Sequence, residues 1–402
     1  MTVNIKPQFV SDNATTSELE VFLLSYFGTA RQLEQNRIEV GGQLIVEYYS
    51  SKNKKHSERE IKSIFMMNEN DHKLLEELIT KATEALSIEH GLTVGRSILF
   101  SPYEVNANYS FEKSFQILNV PNSAPKSDEL LADHPFILEY SYFKSPNIAV
   151  DMQRRNKRFW ELVLLLNTFL KGGVTYIRPT ASKVWAIVPN EFSKFESKFL
   201  QLGYILPPLE NEGIDFTRYD QNNRIQEMPI SSYFSRNTQK IDEKLAIPDN
   251  ISTLFSKFDA LPASERDNFL RASYWKQVSS DSLYISQSNA YIALINAIES
   301  LIPNEKAQWC CITCHKEEKR GLTQLFHDFV ETYAPLVEPH QRKRFYEIRS
   351  KYTHGKKLMQ GDLEYMGMSF NSSKFEEFEN FRVLAKLVQE AMINWLLAVE
   401  TQ

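Results

Sequence analysis

The sequence predicts an α+β N-terminal part followed by an all-α helical bundle. Three observations carry this expectation. Short β-branched and aromatic runs bounded by Gly or Pro are confined to residues 1 to about 205. Residues 206 to about 248 are polar, Pro-bearing and without clean periodicity, as in a linker. From residue 249 to 402 the apolar residues recur at three- and four-residue steps, the period of a helix.

The elements follow in order. "NENDHKLLEELITKATEALS" spaces Leu74, Leu75, Leu78, Ile79, Ala82 and Leu86 as a helix, with Asp71 available as N-cap. "GLTVGRSILFSP", "SFQILNVP" and "HPFILEYSYFKSP" read as strands. "NIAVDMQRRNKRFWELVLLLNTFL" reads as one long helix stopped by Gly172 and Gly173. Its Arg154, Arg155, Lys157 and Arg158 are expected on a solvated face. "GVTYIRPTASKVWAIVP" reads as a hairpin turning around Thr180 to Ser182. The scattered Phe and Tyr of 206–248 imply that this linker packs on a surface. Beyond it, "SERDNFLRASYWKQV" starts a helix at Ser264. "SQSNAYIALINAIESLIP" puts Tyr291, Leu294, Ile298 and Leu301 on one face and stops at Pro303. "KRGLTQLFHDFVETYAP" ends at Pro335, and "HQRKRFYEIRSKYTHG" follows. The last helix repeats Phe378, Phe381, Leu384, Val388, Ala391 and Trp395. Four or five such helices with short connections make a bundle.

Composition excludes several classes. Hydrophobic residues are 42% and charged residues 24% of the chain, as in a folded globular protein. A net charge of −5 argues against a protein that coats nucleic acid over its whole surface, yet leaves room for a local basic site. The most apolar run, "FWELVLLLNTFL", is too short to span a bilayer and contains Glu161 and Asn167. No secretory signal is visible and the three cysteines are clustered, so a cytoplasmic protein with no membrane contact is expected.

Chemistry concentrates in "EIRSKYTHGKK", residues 347–357. Arg349 and His354 stand five positions apart, and Gly355 sits where a helix C-cap glycine belongs. Five helical residues rotate about 140° past a full turn, so the two side chains leave a straight helix on different faces. They converge only if the helix breaks between them or if two chains combine. The residue types suit RNA cleavage by the ribose 2′-hydroxyl. Histidine has the pKa of an acid or base at neutral pH. Arginine's planar fork fits the oxygens of a phosphorane. From Arg342 to Lys357 there are seven Lys or Arg against one acid, Glu347. Arg342, Lys343, Arg344, Lys351, Lys356 and Lys357 are therefore candidates for RNA contact, with Tyr346 and Tyr352 interleaved to hold a single strand. A plain solvated helix face, with Glu347 and Lys351 paired, is the other reading.

The C-terminal residues, about 250 to 402, resemble the HEPN superfamily, most closely its Apea-like domain. "NFLRASYWKQVSSDSLYISQSNAYIALINAIESLIP" is similar to the first helix pair, with Glu299 in the Ala-Ile-Glu-Ser-Leu setting. "GLTQLFHDFVETY" resembles the middle helix, "FYEIRSKYTHG" the Arg-x4-6-His segment, and "LVQEAMINWLLAV" the closing helix. The resemblance implies a metal-independent endoribonuclease, often a toxin or antiviral defence effector, that works as a homodimer. It makes Arg349 and His354 the catalytic candidates. Active members often carry Asn, Asp or His directly after the motif arginine, where this chain has Ser350. Members without activity serve as binding or scaffolding modules, which is the alternative. "RRNKRFWELVLLLNTFLKGGV" with "VWAIVP" is similar to the variable region that precedes such domains, implying a sensor or targeting role. Glu299 has two uses open to it: anchoring Arg349 or capping a neighbouring helix.

The sequence carries no Gly-rich phosphate loop, serine-nucleophile elbow or zinc-protease motif, and no cofactor is expected. "WCCITCHKEEKR" holds Cys311-x2-Cys314, half of a zinc site. Cys310, His315, His327 or a second subunit could complete it; small buried cysteines or a mobile thiol pair are the simpler readings. His327 reads as a satisfied structural histidine, and His340 as a loop residue able to approach RNA.

Overall fold

The fold is taken from a computed structural model. The structure describes residues 16–26, 28, 31–34, 37–40, 44–50, 59–63, 69–88, 90–120, 134–176, 183–191, 194–201, 215–220, 222–234, 244–283, 285–303, 308–310, 317–319, 321–335, 337–363 and 372–399.

Helix α1 (Thr16–Tyr26) leads into an antiparallel meander of β1 (Arg31–Glu34), β2 (Arg37–Val40), β3 (Leu44–Ser50) and β4 (Arg59–Ser63). Helix α2 (Glu69–Leu86) follows. A second antiparallel sheet contains β5 (Leu92–Ser101), β6 (Tyr109–Phe111), β7 (Phe115–Asn119) and β8 (His134–Phe143), in the order β5-β8-β7-β6. Gly95 pairs across from Tyr140, and a Cβ at Gly95 would lie 2.8 Å from the Tyr140 ring. The glycine thus lets an aromatic ring lie flat on the strand.

Helix α3 (Ile148–Phe169) is capped by Asn147, whose side chain accepts the N–H groups of Ala149 and Val150. Leu162, Val163, Leu165, Leu166 and Phe169 are all buried. A helix apolar on so many sides must be covered on more than one: β8 lies against α3 on one side and helix α6 on another. Sequence reading placed its basic residues in solvent, and the structure corrects this. Arg154 is buried, pairs with Glu18 at 3.2 Å and donates to the carbonyls of Leu86, Ser87 and Lys144. Arg155 donates to the Arg96 carbonyl, and Arg158 is held by Glu161 and Ser114. Only Lys157 of the four is exposed. Buried guanidinium groups need this many acceptors because each unmet donor is costly.

Strands β9 (Lys183–Glu191) and β10 (Lys194–Gln201) form a hairpin. The expected partner of 184–189 lay upstream; the structure pairs it downstream, and Thr175 instead bridges Phe100. Residues 177–182, which held the expected turn, lie outside the described residues.

Strand β11 (Gln226–Met228), helix α4 (Ile230–Tyr233) and strand β12 (Ala246–Pro248) bring the chain back over the second sheet, with bridges from Arg224 to Asn108 and from Lys244 to Glu104. Thr217 is pinned by Glu139, which is 1% exposed and accepts from Thr217 N at 2.9 Å, Thr217 Oγ1 at 2.5 Å, Arg96 Nε at 2.6 Å and Gln116 Nε2 at 2.5 Å. Burial pushes the Glu139 carboxyl up, but the Thr217 and Arg96 bonds outweigh it and hold the group below the ordinary carboxylate value.

The rest is α5 (Ile251–Asp259), α6 (Ala263–Ser282), α7 (Gln287–Glu299), the two-stranded β13 (Gln308–Cys310) and β14 (Glu317–Lys319), α8 (Leu322–Tyr333), α9 (Pro339–Thr353), α10 (Gln360–Leu363) and α11 (Ser372–Ala398). The expectation of helices alone after 249 missed the β13-β14 pair. Helix α7 is central: Ala290, Tyr291, Ala293, Leu294, Ile295, Ala297 and Ile298 are buried, and α6, α8, α9 and α11 all pack on it. One apolar core runs from the second sheet through α3 into the bundle. Phe255 links the parts, with ring centroids 4.6 Å from Phe115 and 5.2 Å from Phe169. At the C-terminal end of α3, Lys276 Nζ donates to Asn167 O and Gln389 Nε2 to Thr168 O, meeting carbonyls the helix itself leaves open.

Candidate active site

Helix α9 carries the Arg349 and His354 motif. It starts on Pro339, whose fixed φ suits a first helical turn. Arg342 closes the connection from α8, donating from Nε to Val337 O at 2.6 Å and from Nη2 to Pro335 O at 3.0 Å. At 7% exposure it departs from the expected RNA-contacting set, because its fork is used on backbone.

The helix continues unbroken to Thr353. His354 N–H still bonds Ser350 O at 3.2 Å. Gly355 N–H then meets Tyr352 O and Lys356 N–H meets Lys351 O, with Gly355 at φ +64°. This is a Schellman end, and the left-handed residue is the expected glycine. His354 therefore keeps a helical position, about 140° round from Arg349. Its imidazole is exposed at the end of the helix.

One face of α9 carries Arg342, Tyr346 and Arg349, at steps of four and three. Arg349 Nη2 lies 3.0 Å from Glu299 Oε2 of α7, so of the two uses open to Glu299 the structure has the anchor. Tyr346 donates its hydroxyl to Glu299 Oε1 at 3.2 Å, with the Thr323 side chain beside it. The Arg349 guanidinium lies 5.6 Å from the Tyr346 ring centre, within cation–π range. Burial pushes the Tyr346 hydroxyl up, and the Glu299 charge adds to it. Arg349 Nε is buried and has no hydrogen-bond partner among the described residues, although 21% of the side chain is exposed.

The other face carries His340, Lys343, Arg344, Glu347, Ile348 and Lys351. With Tyr352, Lys357, Tyr291 of α7 and Glu377 and Asn380 of α11 they line a groove of about 510 Å³. Arg344 pairs with Glu376 at 2.5 Å and Lys357 with Glu377 at 2.6 Å. Glu347 lies 4.0 Å from Lys343, not paired with Lys351 as the spacing predicted. Lys351 is exposed and has no carboxylate at ion-pair distance among the described residues.

The structure thus divides the expected set. Lys343, Arg344, Lys351 and Lys357 come together in the groove. Arg349 and Glu299 lie on the opposite side of α9. His354 and Lys356 are exposed at its end, and Ser350 is half-buried between. Tyr346 and Tyr352, read as platforms for bases, are 8% and 6% exposed; Tyr346 is turned to Glu299 and Phe326, while Tyr352 keeps an edge on the groove wall. Tyr352 stands edge-on to Tyr291 at 5.4 Å, and burial pushes its hydroxyl well up.

Sequence reasoning missed the acidic residues of α11 and the clamp after the motif. Asp362 accepts from Gln287 N at 2.6 Å, Ser288 N at 3.0 Å and Ser286 Oγ at 3.1 Å, at the start of α7. An Asp two residues past Gln360 was the available signal, but its partner helix is remote in sequence. His327 is half-buried, with its ring against those of Phe326 and Tyr346, and among the described residues neither ring nitrogen has a hydrogen-bond partner.

Among the described residues no group of three or more His, Cys, Asp or Glu could hold a metal ion. Cys311, Cys314 and His315 lie outside the described residues. No described helix is long and apolar enough to cross a membrane. Comparison of the chain with protein-family models, curated proteins and solved structures finds no match.

Proposed function

We propose that the chain is a metal-independent endoribonuclease of the HEPN type, of the toxin or defence-effector kind, acting as a homodimer. The observation that carries the reading is Arg349, held by Glu299 and the Tyr346 ring yet partly exposed, on a helix that ends in an exposed His354. A guanidinium held ready for a phosphorane loses little freedom when charge develops there. The roughly 140° between the two side chains means that one substrate phosphate meets Arg349 of one copy and His354 of another. The 2′-hydroxyl then attacks phosphorus, the 5′-oxygen leaves, and the products are a 2′,3′-cyclic phosphate and a 5′-hydroxyl. The lysines of the groove hold the strand on either side of the cut.

The test is digestion of RNA in EDTA by the wild type, Arg349→Ala and His354→Ala, with the product ends identified. Cleavage by the wild type with cyclic phosphate ends, and a loss of about 100-fold or more in each variant, are expected. Equal cleavage by all three, or cleavage only with Mg²⁺, overturns the mechanism.

The Glu299 carboxylate also favours a second reading, because it neutralises Arg349 in the isolated chain. A HEPN-like binding module would then grip RNA or a protein without cutting it. Binding of RNA with intact product after long incubation selects this reading.

A further inference from the structure

The α8 surface packed on α9 carries Thr323, His327 and Glu331 at four-residue steps. Each meets the Arg349 face of α9. Thr323 lies beside the Tyr346 hydroxyl, Glu331 lies 3.9 Å from Arg342, and the His327 ring centre is 6.3 Å from that of Tyr346. Arg349 sits against the same Tyr346 ring. His327 and Arg349 are therefore neighbours of one side chain, on one side of α9, in one chain. His354 leaves the helix elsewhere. His327 has no hydrogen bond among the described residues, and its ring nitrogens are not among the buried unpartnered atoms, so they are open to solvent and to a substrate.

RNA cleavage by the 2′-hydroxyl needs a base and an acid, and His354 is one imidazole. Resting on the ribonuclease reading above, we propose that His327 is the imidazole that serves Arg349 within one chain, as base, with His354 of a second copy as acid. His327 takes the 2′-hydroxyl proton as the 2′-oxygen bonds to phosphorus. The bond from phosphorus to the 5′-oxygen breaks, its electron pair goes to that oxygen, and the oxygen takes its proton from the His354 imidazolium. No water, metal or oxidant is consumed.

The surroundings of His327 suit a base. Burial lowers its pKa below the ordinary imidazole value, which favours the neutral, proton-accepting ring. Arg342 and Lys343 of α9 lower it further, against Asp328 on its own helix and Glu347 on α9, which raise it. Glu331, the Tyr346 hydroxyl and the Arg349 guanidinium are the other titratable or charged groups of these two helices around the Tyr346 ring, and Glu299 of α7 acts through Tyr346 and Arg349.

The experiment compares RNA cleavage in EDTA by wild type, His327→Gln and His354→Ala across pH, with thermal melts of each protein. In parallel, the ring resonances of His327 in the wild type are followed by NMR while a 2′-deoxy oligonucleotide, which cannot be cut, is added. The expected result is a loss of about 100-fold or more in His327→Gln with a native melt. The acid limb of the rate profile should disappear in His327→Gln but remain in His354→Ala, and the oligonucleotide should shift the His327 resonances. A His327→Gln enzyme with wild-type rate and both limbs intact overturns the proposal and leaves the ribonuclease standing. His327 resonances unmoved by the oligonucleotide overturn it too, whether or not the variant folds. A wild type that cuts no RNA removes the ribonuclease reading itself, and this proposal with it.

Discussion

Arg349 of α9 and Glu299 of α7, fifty positions apart in sequence, meet at 3.0 Å with Tyr346 bonded to the same carboxylate. The three act as a unit, so their contributions to stability are coupled. Glu299→Ala is expected to lower the unfolding free energy by about 1–2 kcal/mol, the scale of a charge-assisted bond. The Glu299→Ala, Arg349→Ala double variant should lose less than the two singles combined. Urea unfolding measures the cycle, and strict additivity would show that the pair is only a neighbourhood.

The groove lysines are expected to grip phosphates without reading bases. Lys351 has no carboxylate at ion-pair distance among the described residues, while Lys343 and Lys357 face Glu347 and Glu377. Lys351→Ala should therefore weaken RNA binding more than either other single change. The triple variant should flatten the dependence of log affinity on log salt by about 2, at roughly 0.7 per single-strand phosphate contact. Fluorescence anisotropy with several unrelated oligonucleotides checks both points. A loss confined to one sequence contradicts them.

Asp362 caps the start of α7 and ties down the segment that follows the motif. Burial pushes its carboxyl up, but the Ser288, Gln287 and Ser286 bonds outweigh this and hold it below the ordinary value of 3.8. The unfolded chain therefore takes up this proton first as pH falls. The stabilisation is present above about pH 3.8 and is lost as pH drops further through the lowered pKa. Asp362→Asn should cost about 1–2 kcal/mol at pH 7, with the gap closing below pH 3.8. Melts of both proteins from pH 7 to pH 3 test it, and a constant gap refutes it.

Lys276 gives a slope of the same sign for a different reason: its lowered pKa reflects a destabilised charge, where that of Asp362 reflects a stabilised one. Burial lowers its ammonium from 10.5 to about 8, and its partner is the Asn167 carbonyl. Between those two values the unfolded chain holds the proton that the folded chain has released, so stability rises with pH there. The melting temperature of the wild type relative to Lys276→Met should climb from pH 8 to 10.5. A flat difference would mean that the ammonium is hydrated in solution.

Much of the secondary structure was legible because its signals are local. The long helix before Gly172 and Gly173 became α3, and both glycines have positive φ. Gly355 was legible as a C-cap for the same reason. The angle between Arg349 and His354 followed from helix geometry alone, and the helix keeps it. What could not be read is which face meets which neighbour. Arg342 looked like its basic neighbours until Pro335 and Val337 folded under it. Arg154 looked solvated because its partner, Glu18, lies 136 positions away. The partner of strand 184–189 was misassigned because upstream and downstream segments both alternate, and the turn that decides between them carries a weak signal.

The apolar core that passes through α3 has a practical consequence for dissection. Phe255 and Phe269 of the bundle rest on Phe169, and Phe255 also rests on Phe115 of the sheet. A fragment beginning at residue 249 would leave this aromatic wall facing water, with each ring exposing apolar surface on the order of 100 Å² or more. Such a fragment would stick to itself, and an inactive preparation of it would report on broken packing before it reported on chemistry.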